Sequence, residues 1–184
     1  MEAPLKWFRG LLADATATIG SAYFLLPVAN ADGGAPIEQY RERVYAYELY
    51  HQLRKRWPDC PFSLEAARST SADIRSSAGS TSTMRSPIYW SMFLATWVAT
   101  LAVIEIKPIK PEPPVGEHEA FWRDLLKLIA FRNIGYEAAF MLVSGEPIDR
   151  MIDCGAELRK AESPIDHIEL WHHGAPGEPA RPLA

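Results

Sequence analysis

Residues 101–107 read LAVIEIK, and this apolar run is the part of the chain that best predicts the fold. Residues 102–104 are three apolar residues in succession, which breaks the alternation expected of a strand with one face in water. A strand that is apolar on both faces is typical of the centre of a sheet covered on both sides. Because proline cannot donate a ladder hydrogen bond, we expect the strand to end before Pro108.

Helices and further strands are predicted on either side of this run. The spacing of apolar residues predicts helices over 6–26, 37–57, 118–132 and 149–160, and strands over 136–143 and 165–171. From residue 37 onward, helices and strands therefore alternate. This order indicates an α/β or α+β fold around a small sheet.

The chain divides into three parts by composition. Residues 1–36 form an N-terminal helix and a Gly-containing loop, 37–173 form the main domain, and 174–184 form a Pro- and Gly-rich tail that is expected to be flexible. Within the domain, residues 68–86 are rich in Ser and Thr and are expected to be a loop or disordered. His167, His172 and His173 are interpreted as the polar end of the last strand rather than as metal ligands, because they have no acidic or cysteine partner at a matching spacing.

Size and charge limit the kinds of partner. The 184 residues, 48% hydrophobic and 23% charged, fit one globular domain. Because the net charge is −4, contact with nucleic acid needs a local basic patch. The candidate cations are Arg41, Arg43, Arg54, Lys55 and Arg56, diluted by Glu42 and Glu48. Trp7, Tyr47 and Trp122 lie at helical spacing and are expected in the core rather than in base stacking.

The sequence favours a cytoplasmic protein. Cys60 and Cys154 match no zinc spacing and form no disulfide framework, and charged residues interrupt the first apolar run, so that no signal peptide is predicted. Residues 87–104 carry no charge and reach the lower length limit for a membrane helix. A single-pass membrane protein is therefore an alternative, opposed by the polar residues within that run and the charged residues after it.

Glu105 and Lys107 are the candidate catalytic pair. Two apart on a strand, they point to the same face, where burying both charges is costly without a partner. Mg²⁺ or Mn²⁺ bound to the carboxylate is one such partner, and the lysine could then orient or activate an attacking water molecule. The alternative is a surface salt bridge where an ordinary strand leaves the core, because the E-x-K spacing alone occurs by chance in many proteins.

Several segments resemble the PD-(D/E)xK, restriction-endonuclease-like nucleases. Residues 103–108, VIEIKP, resemble their E-x-K strand, and residues 42–54 resemble their first helix. Residues 124–128 and 135–136 are similar to the helix and strand that follow. The resemblance implies a small mixed sheet flanked by helices and Mg²⁺- or Mn²⁺-dependent hydrolysis of DNA. It assigns Glu105, Lys107 and Glu48 to catalysis, with Glu105 and Glu48 binding the metal. A homodimer is compatible with it.

The family's aspartate is missing from its expected place. It should begin a hairpin before the E-x-K strand, but residues 86–92 contain no acid and the nearest upstream aspartate is Asp73. Residues 66–75 can be back-translated and shifted to read GEVDKRGHP, and a similar shift over 86–100 permits a Pro-Asp pair. We therefore hypothesise that residues 66–100 are read out of frame, and the alternative is a divergent insertion whose codons happen to permit this reading. The hairpin is then expected to be disrupted, and the alternative to a nuclease is a non-catalytic relative that binds nucleic acid or a protein partner.

Overall fold

The computed structural model describes residues 2–29, 32–35, 37–57, 63–69, 89–95, 100–109, 117–145 and 168–183. Its helices are α1 (Glu2–Thr16), α2 (Ser21–Phe24), α3 (Glu42–Lys55) and α4 (Glu117–Asn133). Its strands are β1 (Leu25–Val28), β2 (Ile37–Tyr40), β3 (Ser63–Ser69), β4 (Tyr89–Ala95), β5 (Thr100–Ile109), β6 (Ala138–Gly145), β7 (Ile168–His173) and β8 (Arg181–Pro182).

Six of the strands form one mixed sheet. The strand order is β3-β4-β5-β6-β7-β8, and β1 pairs separately with β2. The β3–β4, β4–β5 and β7–β8 pairs are antiparallel, whereas β5–β6 and β6–β7 are parallel. The predicted fold class, a mixed α/β arrangement with helices flanking a sheet, is confirmed.

Strand β5 lies in the interior of this sheet, as LAVIEIK predicts. Residues 101–106 are all buried. The core has two clusters of buried apolar residues, one on each face of the sheet. Ala102, Ile104 and Ile106 belong to one cluster, and Val103 belongs to the other. The predicted end before Pro108 is wrong, because Pro108 and Ile109 continue the ladder with β6. Among the described residues the register with β4 ends at Glu105, so no described strand pairs with Pro108 on that side, and proline is tolerated at such a position.

The two faces of the sheet are covered by different helices. One cluster joins apolar residues of α1 and α3 to the 102, 104 and 106 positions of β5 and to Phe140 of β6. The other joins apolar residues of α4 to Val103 and to the alternate positions of β6. Helix α1 therefore packs into the same core as the sheet, and the sheet separates α3 from α4.

The first two predicted helices, over 6–26 and 37–57, are shorter than the spacing of their apolar residues suggested. The helix expected over 6–26 ends at Thr16, whose hydroxyl bonds back to the Leu12 carbonyl at 2.9 Å, and β1 follows from Leu25. The helix expected over 37–57 begins only at Glu42, because Ile37–Tyr40 pairs with β1. Residues 25–28 and 37–40 pair with each other as strands instead of extending the two helices. The spacing of apolar residues along the chain does not reveal this pairing.

The expectation of a disrupted hairpin before the E-x-K strand differs from the structure. Strands β3 and β4 pair antiparallel over seven residue pairs, from Ser63↔Ala95 to Ser69↔Tyr89, and β4 then pairs with β5. Part of the predicted loop over 68–86 is therefore strand. The remainder, residues 70–86, lies outside the described residues, as does the predicted helix over 149–160.

The tail after Gly174 packs on the domain instead of fraying. Ala180 is buried, and its N–H donates to Oγ1 of Thr16 at 2.8 Å. The N–H of Leu183 donates to the Leu170 carbonyl at 2.7 Å, and the N–H of Gly177 to the Ile19 carbonyl at 3.0 Å. Composition suggested a flexible end, whereas these hydrogen bonds to distant residues fix it.

Residues 87–104, the candidate membrane segment, contain β4 and the first part of β5. Across the described ranges, no helix is both long enough and apolar enough to cross a membrane.

Candidate functional site

The candidate site lies on the face of β5 that meets α4. Glu105 and Lys107 stand two residues apart on this strand, and both bond to α4. They therefore point to the same face, as the strand spacing predicted. The side chain of Glu105 is 1% exposed and that of Lys107 is 11% exposed. This depth excludes the alternative of a solvent-exposed ion pair.

Two ion pairs join the strand to the helix. Nζ of Lys127 donates to Oε2 of Glu105 at 2.8 Å, and Nζ of Lys107 donates to Oδ2 of Asp124 at 3.1 Å. Asp124 and Lys127 are three residues apart on α4, so they lie on one helical face. These four side chains are called the β5–α4 quartet below. The quartet holds two carboxylates and two ammonium groups, so it is electrically balanced.

Burial changes the proton affinity within the quartet. It raises the pKa of the carboxyl group of Asp124, whose side chain is 2% exposed. The Lys107 ammonium, by its charge and its hydrogen bond, opposes that rise in pKa, and the charges of Lys127 and Arg123 oppose it further. Lys107 is therefore the group that most strongly opposes the rise in the Asp124 pKa.

Asp124 and Lys127 are the site residues that sequence reasoning missed. Both lie in the helix predicted over 118–132, but its pattern assigns them no partner. Asp124 and Lys127 are three residues apart on α4, and Glu105 and Lys107 are two apart on β5. With these spacings, each charge on the helix meets an opposite charge on the strand. That match is a usable signal only once α4 is known to cover the Glu105 face.

Glu48 does not join Glu105. It lies on α3 and accepts a hydrogen bond from Nε2 of Gln52 at 2.6 Å. Helix α3 packs through Leu49 and Leu53 on the face of Ile104, opposite the face of Glu105. The structure therefore brings together two of the three residues predicted for catalysis, Glu105 and Lys107, and separates the two predicted metal ligands.

The quartet does not fit a divalent cation in the arrangement that the structure shows. Mg²⁺ is held by carboxylate oxygens and usually retains several water molecules. Here each carboxylate already accepts a lysine ammonium, in a buried setting. Among the residues that the structure describes, no three or more His, Cys, Asp or Glu side chains are grouped so that they could hold a metal ion.

The basic residues that were predicted to contact nucleic acid differ in how exposed they are. Arg43, Arg54 and Lys55 are exposed. Arg56 is partly buried and bonded within the chain: its Nη1 donates to the Gln52 carbonyl at 3.0 Å and to Oε1 of Gln52 at 2.8 Å. Arg41, which directly precedes α3, is exposed as well, so four of the five predicted cations are accessible to a polyanion.

Two of the aromatic residues predicted for the core are substantially exposed. Tyr47 is 44% exposed and Trp7 is 40% exposed. The buried side of α3 includes Tyr45 and Leu49, and Tyr47 lies about 200° around the helix from Tyr45. The guanidinium carbon of Arg43 lies 5.4 Å from the centroid of the Tyr47 ring, within the range of a cation–π contact.

His173 is buried, although the end of its strand was expected to be polar and exposed. Its Nδ1 lies 2.6 Å from the Tyr45 hydroxyl, and its ring centroid lies 4.5 Å from that of Phe24. Burial lowers the pKa of His173 to about 4, and it raises the pKa of Tyr45 well above its usual value. Both side chains are therefore neutral near pH 7, and a hydrogen bond joins the hydroxyl to the imidazole nitrogen. This pair links α3 to β7.

In comparisons with known proteins, no family model, no curated protein and no solved structure matches this chain. Its relation to any family therefore rests on its own residues and on the order of its elements.

Proposed function

We propose that this chain is a nucleic-acid-binding relative of the PD-(D/E)xK nucleases in which the E-x-K pair joins β5 to α4 instead of cutting phosphodiesters. The observation that carries this proposal is the β5–α4 quartet. Glu105 and Lys107 are each engaged by an oppositely charged side chain of α4, at 2.8 and 3.1 Å.

The order of the elements supports the nuclease relationship. The resemblance implies a first helix, a hairpin, the E-x-K strand, a helix and a strand. The chain has α3, the antiparallel β3 and β4, β5 with Glu105 and Lys107, then α4 and β6. The LAVIEIK run thus occupies the position in this order that the resemblance gives it.

The charge of the site supports a binding function over cleavage. Glu48 lies across the sheet from Glu105, and the quartet is charge-balanced. Asp73, the nearest upstream aspartate, lies outside the described residues, and the frame-shift hypothesis for 66–100 stays open to one direct test. Sequencing the gene tests it: codons incompatible with GEVDKRGHP in the shifted frame would exclude it.

The charge distribution of α3 supports contact with nucleic acid. Between Arg41 and Arg56, five Lys or Arg residues stand against two Glu, in a chain whose net charge is −4. Arg43, Arg54 and Lys55 are exposed, so they can neutralise phosphates and release counterions.

The proposal is tested by measuring DNA binding over a range of salt concentrations. We expect the Arg43→Ala/Arg54→Ala variant to bind more weakly and to lower the salt slope by about 2, one for each lost phosphate contact. Arg123→Ala, which removes an exposed arginine of α4, is the matched control and should bind like the wild type. Failure of the wild type to bind DNA would overturn the proposal.

The second candidate function is DNA cleavage dependent on Mg²⁺ or Mn²⁺. It is favoured by the two buried carboxylates, Glu105 and Asp124, beside Lys107. It requires the ion pairs of the quartet to open. Incubating the protein with supercoiled plasmid and either metal tests it, with Lys107→Met as the variant and circular dichroism as the check on folding. Metal-dependent nicking that Lys107→Met abolishes would replace the binding proposal by an enzymatic one.

A further inference from the structure

One side of α3 carries a continuous stripe of exposed basic and aromatic side chains. The stripe consists of Arg43, Tyr47, His51 and Arg54, all of them exposed. Their spacing of four, four and three residues keeps them within about 80° of the helix circumference, over a length of about 16 Å. Arginines stand at both ends and the two rings lie between them.

The carboxylate of Glu48 is directed away from this stripe. Glu48 lies about 100° around the helix from Tyr47, and its carboxylate accepts a hydrogen bond from Gln52, which is buried. The α3 positions that form the stripe itself carry no carboxylate. A polyanion along the stripe would therefore meet arginines at both of its ends.

Tyr47 is the central feature of the stripe. Its side chain stays 44% exposed, while Tyr45, two residues earlier, is fully packed in the core. The Arg43 guanidinium lies over the Tyr47 ring at 5.4 Å, and Nη2 of Arg43 lies 3.4 Å from the Tyr47 hydroxyl. The arginine thus steadies an exposed ring and places a positive charge beside it.

We infer that the nucleic acid bound along this stripe is single-stranded, with a base stacking on Tyr47 and phosphates contacting Arg43 and Arg54. This inference rests on the proposed nucleic-acid binding. In a duplex the faces of the bases are already stacked, and an exposed tyrosine on a helix surface contributes little. In a single strand every base offers a free face, and sites for such strands combine cations with aromatic rings in this way.

The test is a comparison of two probes on the full chain. The probes are a fluorescein-labelled oligothymidine of about 15 nucleotides, within the range of known site sizes, and a duplex of the same length. We expect the oligothymidine to bind more tightly than the duplex. Tyr47→Ala should lower the affinity for the oligothymidine by about tenfold, the scale of one lost stacking contact. It should change the affinity for the duplex by less than about twofold.

Two further variants separate stacking from other effects. Tyr47→Phe keeps the ring and removes the hydroxyl, so it should retain wild-type affinity. Tyr23→Ala removes a tyrosine of α2 that is 40% exposed and lies outside the stripe, so it should also bind like the wild type.

The outcomes distinguish this inference from the proposal on which it rests. If neither probe binds, the proposed nucleic-acid function fails together with the inference. If both probes bind equally and Tyr47→Ala changes neither, the inference alone is overturned, and the surface is a phosphate-binding one. If polyglutamate displaces the oligothymidine at equal charge concentration and Tyr47→Ala has no effect, the occupant is an acidic peptide instead.

Discussion

The ammonium of Lys127 lies 2.8 Å from a carboxylate oxygen of Glu105, and both side chains are at least nine-tenths buried. Together with the Lys107–Asp124 pair, this contact fixes the rotation of α4 on the sheet. A buried ion pair contributes little net stability compared with an apolar pair of the same shape, but losing one partner leaves a buried charge alone. The quartet should therefore be sensitive to single substitutions.

Lys127→Ala is expected to lower the free energy of unfolding by about 3 kcal/mol, because it leaves the Glu105 carboxylate buried without this ammonium partner. Urea denaturation followed by circular dichroism measures the change. Lys55→Ala, at an exposed position, should change the free energy by less than about 0.5 kcal/mol. The double variant Glu105→Leu/Lys127→Met should recover most of the loss. A loss for Lys127→Ala no larger than that of the Lys55 control would contradict the buried pair.

Lys107→Met is expected to raise the pKa of Asp124 further, because Lys107 is the main group that opposes the effect of burial. Carboxyl-carbon NMR titration measures this pKa. An acid whose folded-state pKa exceeds its unfolded value of 3.8 adds stability at low pH and loses it as the pH rises through the folded-state pKa. The stability deficit of Lys107→Met should therefore grow from pH 4 to pH 7. Arg123→Met removes a weaker influence on Asp124, so it should shift the Asp124 pKa less than Lys107→Met does. Equal shifts in the two variants would argue against the direct contact between Lys107 and Asp124.

His173 is expected to make the fold sensitive to acid. Its pKa is lowered from 6.5 to about 4, so its contribution is fully present above pH 6.5 and is lost as the pH falls toward 4. The pKa difference corresponds to roughly 3 kcal/mol over that window. The decrease in the free energy of unfolding between pH 7 and pH 4.5 should be smaller in His173→Gln than in the wild type. Urea denaturation at the two pH values measures it. His51→Gln, at an exposed position, is the control that should keep the wild-type pH dependence.

Thr16→Val is expected to loosen the C-terminal segment. Oγ1 of Thr16 accepts the N–H of Ala180 at 2.8 Å, and the variant leaves that buried N–H without its acceptor, at a cost of about 2 kcal/mol. Hydrogen exchange at the Ala180 amide should become faster. Thr18→Val removes an exposed hydroxyl that bonds to the Ala15 carbonyl and should leave this amide protected. Unchanged exchange in Thr16→Val would show that other contacts hold the segment.

The sequence predicted those features that depend on one element alone. An apolar run without alternation predicts a strand covered on both faces, and β5 is such a strand. The pleat of a strand places Glu105 and Lys107 on one side without reference to any other element. The helix that became α4 followed in the same way from its apolar stripe.

Features that depend on how two elements meet could not be predicted in this way. The pairing of Asp124 and Lys127 with β5 requires the rotation of α4 on the sheet, which no local pattern specifies. Glu48 was grouped with Glu105 because both are acidic and fit the resemblance, but α3 covers the opposite face. The order of the tail depends on Thr16, which is 164 residues away from Ala180.

The attachment of the tail to α1 has a consequence for synthesis of the protein. Thr16 and Ala180 are separated by 164 residues, and Arg9 and Glu169, which form a second contact between the two ends, are separated by 160. During synthesis, α1 emerges from the ribosome about 160 residues before its partners in these contacts. Because closing such long loops is slow, α1 is expected to reach its final place late in folding.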